Sequence, residues 1–416
     1  APRRLHAPGK ENVGVTRGIL RGMELRTPRR IHIDRMGGSI EGHRELRLRL
    51  AERPFRSRCL TRGEAAHARH LQGEIPSRLG APHGHRPDRC THHRLVQALR
   101  HRNSIRPLHI ADSRIHQKTM PRCIVTGATG YIGSHVVRHL LSKGWDVAII
   151  AQPEFGYDNI ADIMSKLAVF EYDGQIETMI EFVKDWQADV VMHLAAAVIT
   201  TPAPQQVSTI VNANIRFGTE LLEAMKFSTT RLFISTGSYW QNYDGTGNYN
   251  PVDLYGASKE AFEKIVKFYV EAYGFRHINL RLFDVYGEDD RRPKLWTHLR
   301  EAAETGNSLD ISAGEQLLDM VHVSDVATAY EAAYFTLTES PEIRNEVYGV
   351  YTGDMRSLKD IVHTFQQILD KPINLNWGAR PYKCREVMRP FDGYKILPNW
   401  KFKIKLEEGL ARYRLE

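Results

Sequence analysis

Cysteine is scarce in this chain. It occurs four times in 416 residues, at positions 59, 90, 123 and 384, without the spacings that ligate a metal. Neither a disulfide framework nor a zinc site is supported. No apolar run reaches the roughly 18–20 residues that span a bilayer, and no apolar stretch near the N-terminus has the form of a signal peptide. We therefore expect a soluble, cytoplasmic protein with no membrane partner. Residues 1–119 lack still more: they contain no Trp or Tyr and a single Phe, Phe55, whereas large aromatic groups usually help to close a core.

What those 119 residues do have is positive charge, with 26 Arg plus Lys against ten Asp plus Glu, and 12 of the 19 His. Residues 120–416 carry 31 basic against 39 acidic groups, so the formal net charge of +8 belongs to the leader. Stretches such as "APHGHRPDRCTHHR" combine charge with Gly and Pro breakers and have little periodicity, which predicts disorder. A basic arm can bind nucleic acid through counterion release. Here the Arg residues are scattered, with no aromatic interleaving and no nucleic-acid module, so no nucleic-acid partner is expected. The abrupt change at Met120 instead resembles translated GC-rich sequence upstream of a start, or a disordered tail.

From residue 120 the pattern changes. "RCIVTG" at 122–127 reads as a buried parallel strand, 132–143 as a helix and "DVAII" at 146–150 as a second strand. Strand "VFEYD" (169–173), helix "QIETMIEFVKDW" (175–186), strand "DVVMHLAA" (189–196), a helix through "NIRFGTELLEAMK" and strand "RLFISTG" (231–237) continue the alternation. This is a βαβ series, and it predicts an α/β fold: a Rossmann-type doubly wound parallel sheet with a smaller C-terminal lobe. We assign residues 120–287 to the dinucleotide-binding domain, with a return strand near 317–323, and 288–316 and 340–412 to a substrate-binding lobe.

"TGATGYIGS" follows the first strand. Gly127 and Gly130 permit a tight backbone path beside a pyrophosphate, and Gly133 lets helix and strand approach closely. The helix N-terminus then offers N–H groups and a positive dipole end to phosphate. Gln152, with Ala151, stands where a carboxylate would read the adenine ribose. With none there, NADP(H) is slightly favoured over NAD(H). Asp173, after the third strand, is a candidate for the adenine amino group, or a loop residue only.

Tyr255 and Lys259 lie four residues apart in "LYGASKEAFEKIVKFYVEAYG", on one face of a helix beginning near Leu254. A phenol titrates near 10, and a fixed ammonium beside an oxidised nicotinamide favours its phenolate. Tyr255 could then exchange a proton with a carbinol or carbonyl, while Lys259 holds the nicotinamide ribose. Thr236, at a strand's carboxyl end, could donate to the developing alkoxide, with Ser235 and Ser238 competing for that role. A hydroxyl at a strand end can also do no more than bond to nearby backbone.

In order along the chain, these motifs resemble the extended short-chain dehydrogenase/reductase family, the NAD-dependent epimerases and dehydratases, over roughly 121–415. The resemblance implies cofactor contacts at Gly127, Thr129, Gly130, Tyr131, Ile132 and Gly133, at Leu194, Ala195 and Ala196 of "HLAAA", and at Asn214 of "NIRFGT". It places Thr236, Tyr255 and Lys259 at the catalytic positions and implies a homodimer. The residues after Thr236 are Gly237 and Ser238, where 4,6-dehydratases have Asp-Glu, so dehydration is disfavoured. Leu318 stands where many relatives have a nucleotide-binding Arg. "TGSYWQNY", "DVYGEDDRRPKL" and "NWGARPYKCREVMRPF" are similar to the CDP-abequose/paratose synthase-type 4-ketoreductases. From that resemblance we expect NAD(P)-dependent reduction of the C4 ketone of a nucleotide-linked, CDP-linked, deoxyhexose. A nucleotide-sugar epimerase is the alternative, and a non-catalytic dinucleotide-binding scaffold is the alternative of another class. Ser238, Arg291, Arg292, Lys294, Arg380 and Arg385 are the candidate substrate contacts.

Overall fold

The computed structural model describes residues 120–414 except 153, 155 and 293. The expectations for the basic leader lie outside the described residues.

The first half of the described chain alternates strand and helix: β1 (Arg122–Thr126), α1 (Tyr131–Ser142), β2 (Asp146–Ala151), β3 (Ala168–Glu171), α2 (Ile176–Trp186) and β4 (Val190–His193). Next come α3 (Val207–Val211), which runs through a π-helical turn at Asn212–Arg216 into α4 (Phe217–Lys226), then β5 (Leu232–Ser238), α5 (Leu254–Tyr273), β6 (Arg276–Leu282) and β7 (Asp284–Tyr286). The remainder comprises α6 (Leu295–Thr305), β8 (Leu309–Ile311), β9 (Leu317–His322), α7 (Val323–Glu339), β10 (Asn345–Val350), β11 (Met355–Ser357), α8 (Leu358–Leu369), β12 (Leu375–Trp377), β13 (Lys395–Ile396) and α9 (Leu406–Arg414).

Eight strands form one sheet in the order β13-β10-β6-β5-β4-β1-β2-β3, and every pairing in it is parallel. β1 is central: the chain builds outward through β2 and β3, then returns to place β4 on the other side. The reversal opens a crevice at the carboxyl ends of β1 and β4. β1, β2 and β4 are continuous apolar runs because helices cover both faces. Alternation sorts their side chains. Cys123 and Val125 join Val136, Leu140 and the α7 residues Tyr330 and Ala333 on one face. Ile124 joins Met179, Leu221 and Phe262 on the other.

The strand expected to return near 317–323 exists as β9, but it is not in this sheet. It pairs with β7 and β11 in a separate three-stranded sheet, and the strand that extends the main sheet beyond β6 is β10. "LLDMVH" and "NEVYGV" are equally short, and their apolar content does not say which edge either will join. The C-terminal lobe has its own core, in which Trp296, Leu299, Ile361, Phe365 and Leu410 meet Tyr286 and Met320.

Candidate active site

A cavity of about 710 Å³ occupies the crevice, lined by Gly127, Gly130, Tyr131, Ile132, Gly133, Leu194 and Ala196 on the dinucleotide side. Thr236, Ser238, Tyr255 and Lys259 form its middle, and Arg292, Lys294, Leu318 and Lys383 line the side towards the C-terminal lobe.

The glycine turn fits a dinucleotide. Gly127 has φ +73°, and a Cβ there would lie 2.6 Å from the Ala195 nitrogen; one on Gly133 would lie 2.0 Å from the Gly127 carbonyl oxygen. Strand, turn and loop therefore close to backbone contact, which leaves no room for side chains between them. Gly130 is the N-cap of α1 and no side chain caps that end, so its first turn presents backbone N–H groups and a positive dipole end to the cavity. Of the other residues expected here, Thr129 and Ala195 act through backbone: the Thr129 carbonyl accepts from Asn159 at 2.8 Å, and the Ala195 N–H donates to Thr126 Oγ1 at 3.3 Å.

Asn214 does not line the cavity. It sits on the inner side of the π-helical turn, where its Oδ1 accepts from Ala197 N at 2.7 Å and its Nδ2 donates to Ser258 Oγ at 2.9 Å. The wide turn aims Asn214 so that it ties the "HLAAA" loop to α5. Gln152 and Asp173 also lie off the cavity wall. Asp173 Oδ1 accepts from Gln175 N at 2.9 Å and from Thr178 Oγ1 at 3.1 Å, which is the local loop role.

Sequence dictates how α5 presents its side chains. Asp253 caps the helix through a 2.8 Å bond from Gly256 N, and Gly274 ends it in a left-handed conformation. Within it, Tyr255 and Lys259 share the inward face and both are buried. Burial pushes the Tyr255 phenol up to about 12, with Asp253 adding to the rise, while a hydrogen bond with Ser238 and the charge of Arg281 act to lower it. Burial pulls Lys259 down to about 8; Glu263 opposes the fall and Arg281 adds to it. The protein's own side chains thus do not produce the lowered phenol that the Tyr-Lys spacing suggested.

Thr236 Oγ1 donates to the His193 carbonyl at 3.0 Å and lies 2.6 Å from the Tyr330 hydroxyl. The serine that meets the phenol is Ser238. Its Oγ also accepts from Trp240 N at 3.2 Å. His193 is held by Thr126 Oγ1 at 2.8 Å, and burial lowers it to about 3, so it is neutral at physiological pH.

The candidate substrate cations separate. Lys294 and Arg292 line the cavity, but Arg292 stacks 4.6 Å over the Tyr131 ring and is bound by Asp290 at 2.6 and 2.7 Å. Arg291 is exposed and, like Arg380, off the wall. Arg385 lines a neighbouring cavity of about 380 Å³ and donates to the Pro251 carbonyl at 2.9 Å and to Asn250 Oδ1. Lys383 lines both cavities. It stands between Arg380 and Arg385 in the segment singled out above, but nothing in the sequence distinguishes it from those neighbours.

Comparison with known proteins adds an independent finding. The model of the NAD dependent epimerase/dehydratase family matches residues 123–348. A CDP-abequose synthase of Yersinia pseudotuberculosis is 27% identical over 68% of this chain and 96% of its own length. A UDP-glucose 4-epimerase of Azospirillum brasilense is 26% identical over 71% of this chain and 91% of its own. Among solved structures, MoeE5 in complex with UDP-glucuronic acid and NAD is 25% identical, with a TM-score of 0.57 over 70% of this chain and 97% of its own.

Several solved structures of this fold, including 4-epimerases of Bacillus cereus and Thermus thermophilus, hold NAD. This corrects the preference for NADP(H): the comparisons favour NAD over NADP(H). The inference from Gln152 fails for a physical reason. Losing a carboxylate removes a repulsion without supplying a cation for a 2′-phosphate. Arg138, on α1, is taken by Asp162 at 2.7 Å to each oxygen and by the Asn159 carbonyl at 2.8 Å.

Proposed function

This chain belongs to the NAD dependent epimerase/dehydratase family, and on that premise we propose that it epimerises a nucleotide-linked sugar at C4. The supporting observation is that Tyr255, Lys259, Thr236 and Ser238 meet the glycine turn across one cavity. Bound there, NAD would accept hydride from the sugar carbon and return it, and its positive ring would favour the Tyr255 phenolate. Tyr255 would take the proton of the C4 hydroxyl and give it back after the ketone has turned its other face. Ser238 would hold the oxygen beside the phenol, and Thr236 would do so on releasing the His193 carbonyl. Lys259 would anchor the nicotinamide ribose and supply positive charge to the couple.

Gly127, Gly130, Gly133 and the first turn of α1 would take the pyrophosphate, with Leu194 and Ala196 beside the ring. Lys294 and Lys383 are the cations best placed for the diphosphate of the sugar nucleotide. Gly237 and Ser238 offer no acid–base pair for removing water, so dehydration is not proposed. A second reading, net reduction of a 4-keto sugar by the same residues, is favoured by the likeness to CDP-abequose synthase. We also place a homodimer contact on α4 and α5.

The test is to incubate purified protein with UDP- and CDP-hexoses, and separately with CDP- and dTDP-4-keto-6-deoxyhexoses plus NADH. Formation of a C4 stereoisomer without net cofactor turnover supports epimerisation. Stoichiometric NADH loss with the keto sugars alone overturns it in favour of reduction.

A further inference from the structure

Below the cleft, where α5 packs on β5 and β6, lies a buried charged cluster to which the scheme above gives no part. Glu263 is one helical turn beyond Lys259 and two beyond Tyr255, on the same side of α5. Its carboxylate receives both arms of Arg281, Nη1 to Oε1 at 2.8 Å and Nη2 to Oε2 at 3.1 Å, and the two side chains are only 14% and 6% exposed. Gln241, completely buried, donates from Nε2 to Glu263 Oε1 at 2.9 Å and to Glu260 Oε2 at 2.8 Å, while its Oε1 accepts the Ser238 N–H at 3.1 Å. Arg281 Nη1 also fills space beneath β5: a Cβ on Gly237 would lie 2.9 Å from it and 2.3 Å from Asn279 Oδ1.

A buried guanidinium without a counter-ion is costly, and a second cation nearby would be repelled by it. The carboxylate that answers Arg281 is also four residues from Lys259 on the same helix, and its charge acts to raise the lysine. We propose that Glu263 and Arg281 form a charge-balanced positioning pair for the Tyr255–Lys259 couple, with Glu263 keeping Lys259 cationic in a dry site and Gln241 tying the same pair to Ser238. This rests on the acid–base reading of Tyr255 and Lys259 given above.

The groups that face Lys259 are consistent with it. From α5 come Tyr255 and Glu263, from β6 Arg281, and from β4 His193, which is neutral. Glu263 raises the lysine and Arg281 lowers it, and Arg281 lowers the phenol as well. A side chain at Gly237 would meet Asn279 Oδ1 first and the guanidinium next, so the glycine leaves room for both.

The experiment follows Lys259 directly. The full chain, loaded with NAD and carrying lysine labelled with ¹³C at Cε, is titrated by NMR, with Lys259→Met assigning the resonance. Glu263→Gln is expected to move the Lys259 midpoint down by about one pH unit, a tenfold change in the ratio of ammonium to amine. Arg281→Gln should move it up, and the double variant should return it close to wild type. A purely structural pair would cost thermal stability in all three variants without opposite shifts. Shifts in the same direction, midpoints that do not move, or a double variant that stays displaced would overturn the proposal. If Glu263→Gln does not fold because Arg281 is left uncompensated, Arg281→Gln and the double variant still decide it. Loss of isomer formation in Tyr255→Phe tests the reaction itself, so failure of the function and failure of the pair are separable.

Discussion

Tyr255 is a poor base in its own surroundings, because burial holds its phenol at about 12. Its dependence on added positive charge gives two predictions at the residue scale. Tyr255→Phe keeps the ring and loses the proton site, so turnover should fall by about 10²–10⁴-fold, the usual worth of general acid–base catalysis, with NAD affinity retained. Unchanged turnover with intact NAD binding, read in the isomer assay, would remove Tyr255 from the chemistry. The second concerns pH. Lys259 must be an ammonium to serve the couple, and its pKa is lowered to about 8. Activity is therefore expected below that value and lost as pH rises through it. Stability should move the other way: the folded state binds this proton less tightly than the unfolded chain does, so the contribution of Lys259 to stability improves as pH rises above 8. A thermal-melt series against pH in wild type and Lys259→Met checks this, because the variant should lose that part of the pH dependence.

At the scale of elements, the junction of β1, α1 and the loop after β4 is the tightest part of the site. A methyl group on Gly133 would meet the Gly127 carbonyl oxygen at 2.0 Å and its carbon at 2.7 Å, and that carbonyl is backbone that cannot swing aside as a flexible side chain would. Gly133→Ala should destabilise the protein by about 1–3 kcal/mol, as overpacking does. It should also weaken NAD binding, by calorimetry, because α1 must tilt away from the pyrophosphate position. Full NAD affinity in this variant would show that the close approach is not needed to form the turn. The π-helical turn before α4 is a second element-level device: a regular α-helix there would carry Asn214 round the axis and off the Ala197 backbone and Ser258 that it holds.

For the whole molecule, the proposed homodimer is the reading with a surface to test. Phe227 is 55% exposed at the end of α4, and Phe268 and Tyr273 on α5 are 54% and 40% exposed. Exposed aromatics grouped on adjacent helices are a mark of an interface. Light scattering should give twice the chain mass for wild type and the single mass for Phe268→Glu; a monomeric wild type would refute the placement. No helix among the described residues is long and apolar enough to cross a membrane.

Much of this protein is determined locally and could be read along the chain. The buried runs "CIVTG" and "VVMH", the glycine turn between the first strand and α1, and the boundaries of α5 follow from apolar patterning, caps and breakers that lie within a few residues of where they act. Tyr255 and Lys259 are legible for the same reason, since a spacing of four puts both on one face of one helix. Tertiary structure alone decided the rest. β9 and β10 could have exchanged sheets without offending any local rule. Arg292 and Arg385 look like phosphate ligands until Tyr131 with Asp290, and Asn250 with Pro251, are found already holding them. The Ser238 contact with Tyr255, the Tyr330 contact with Thr236 and the Glu263–Arg281 pair join residues on different elements. The physical reason is common to all of them: periodicity reports which side of an element is buried, whereas hydrogen-bond partners and electrostatic environment depend on what the other elements bring to that side.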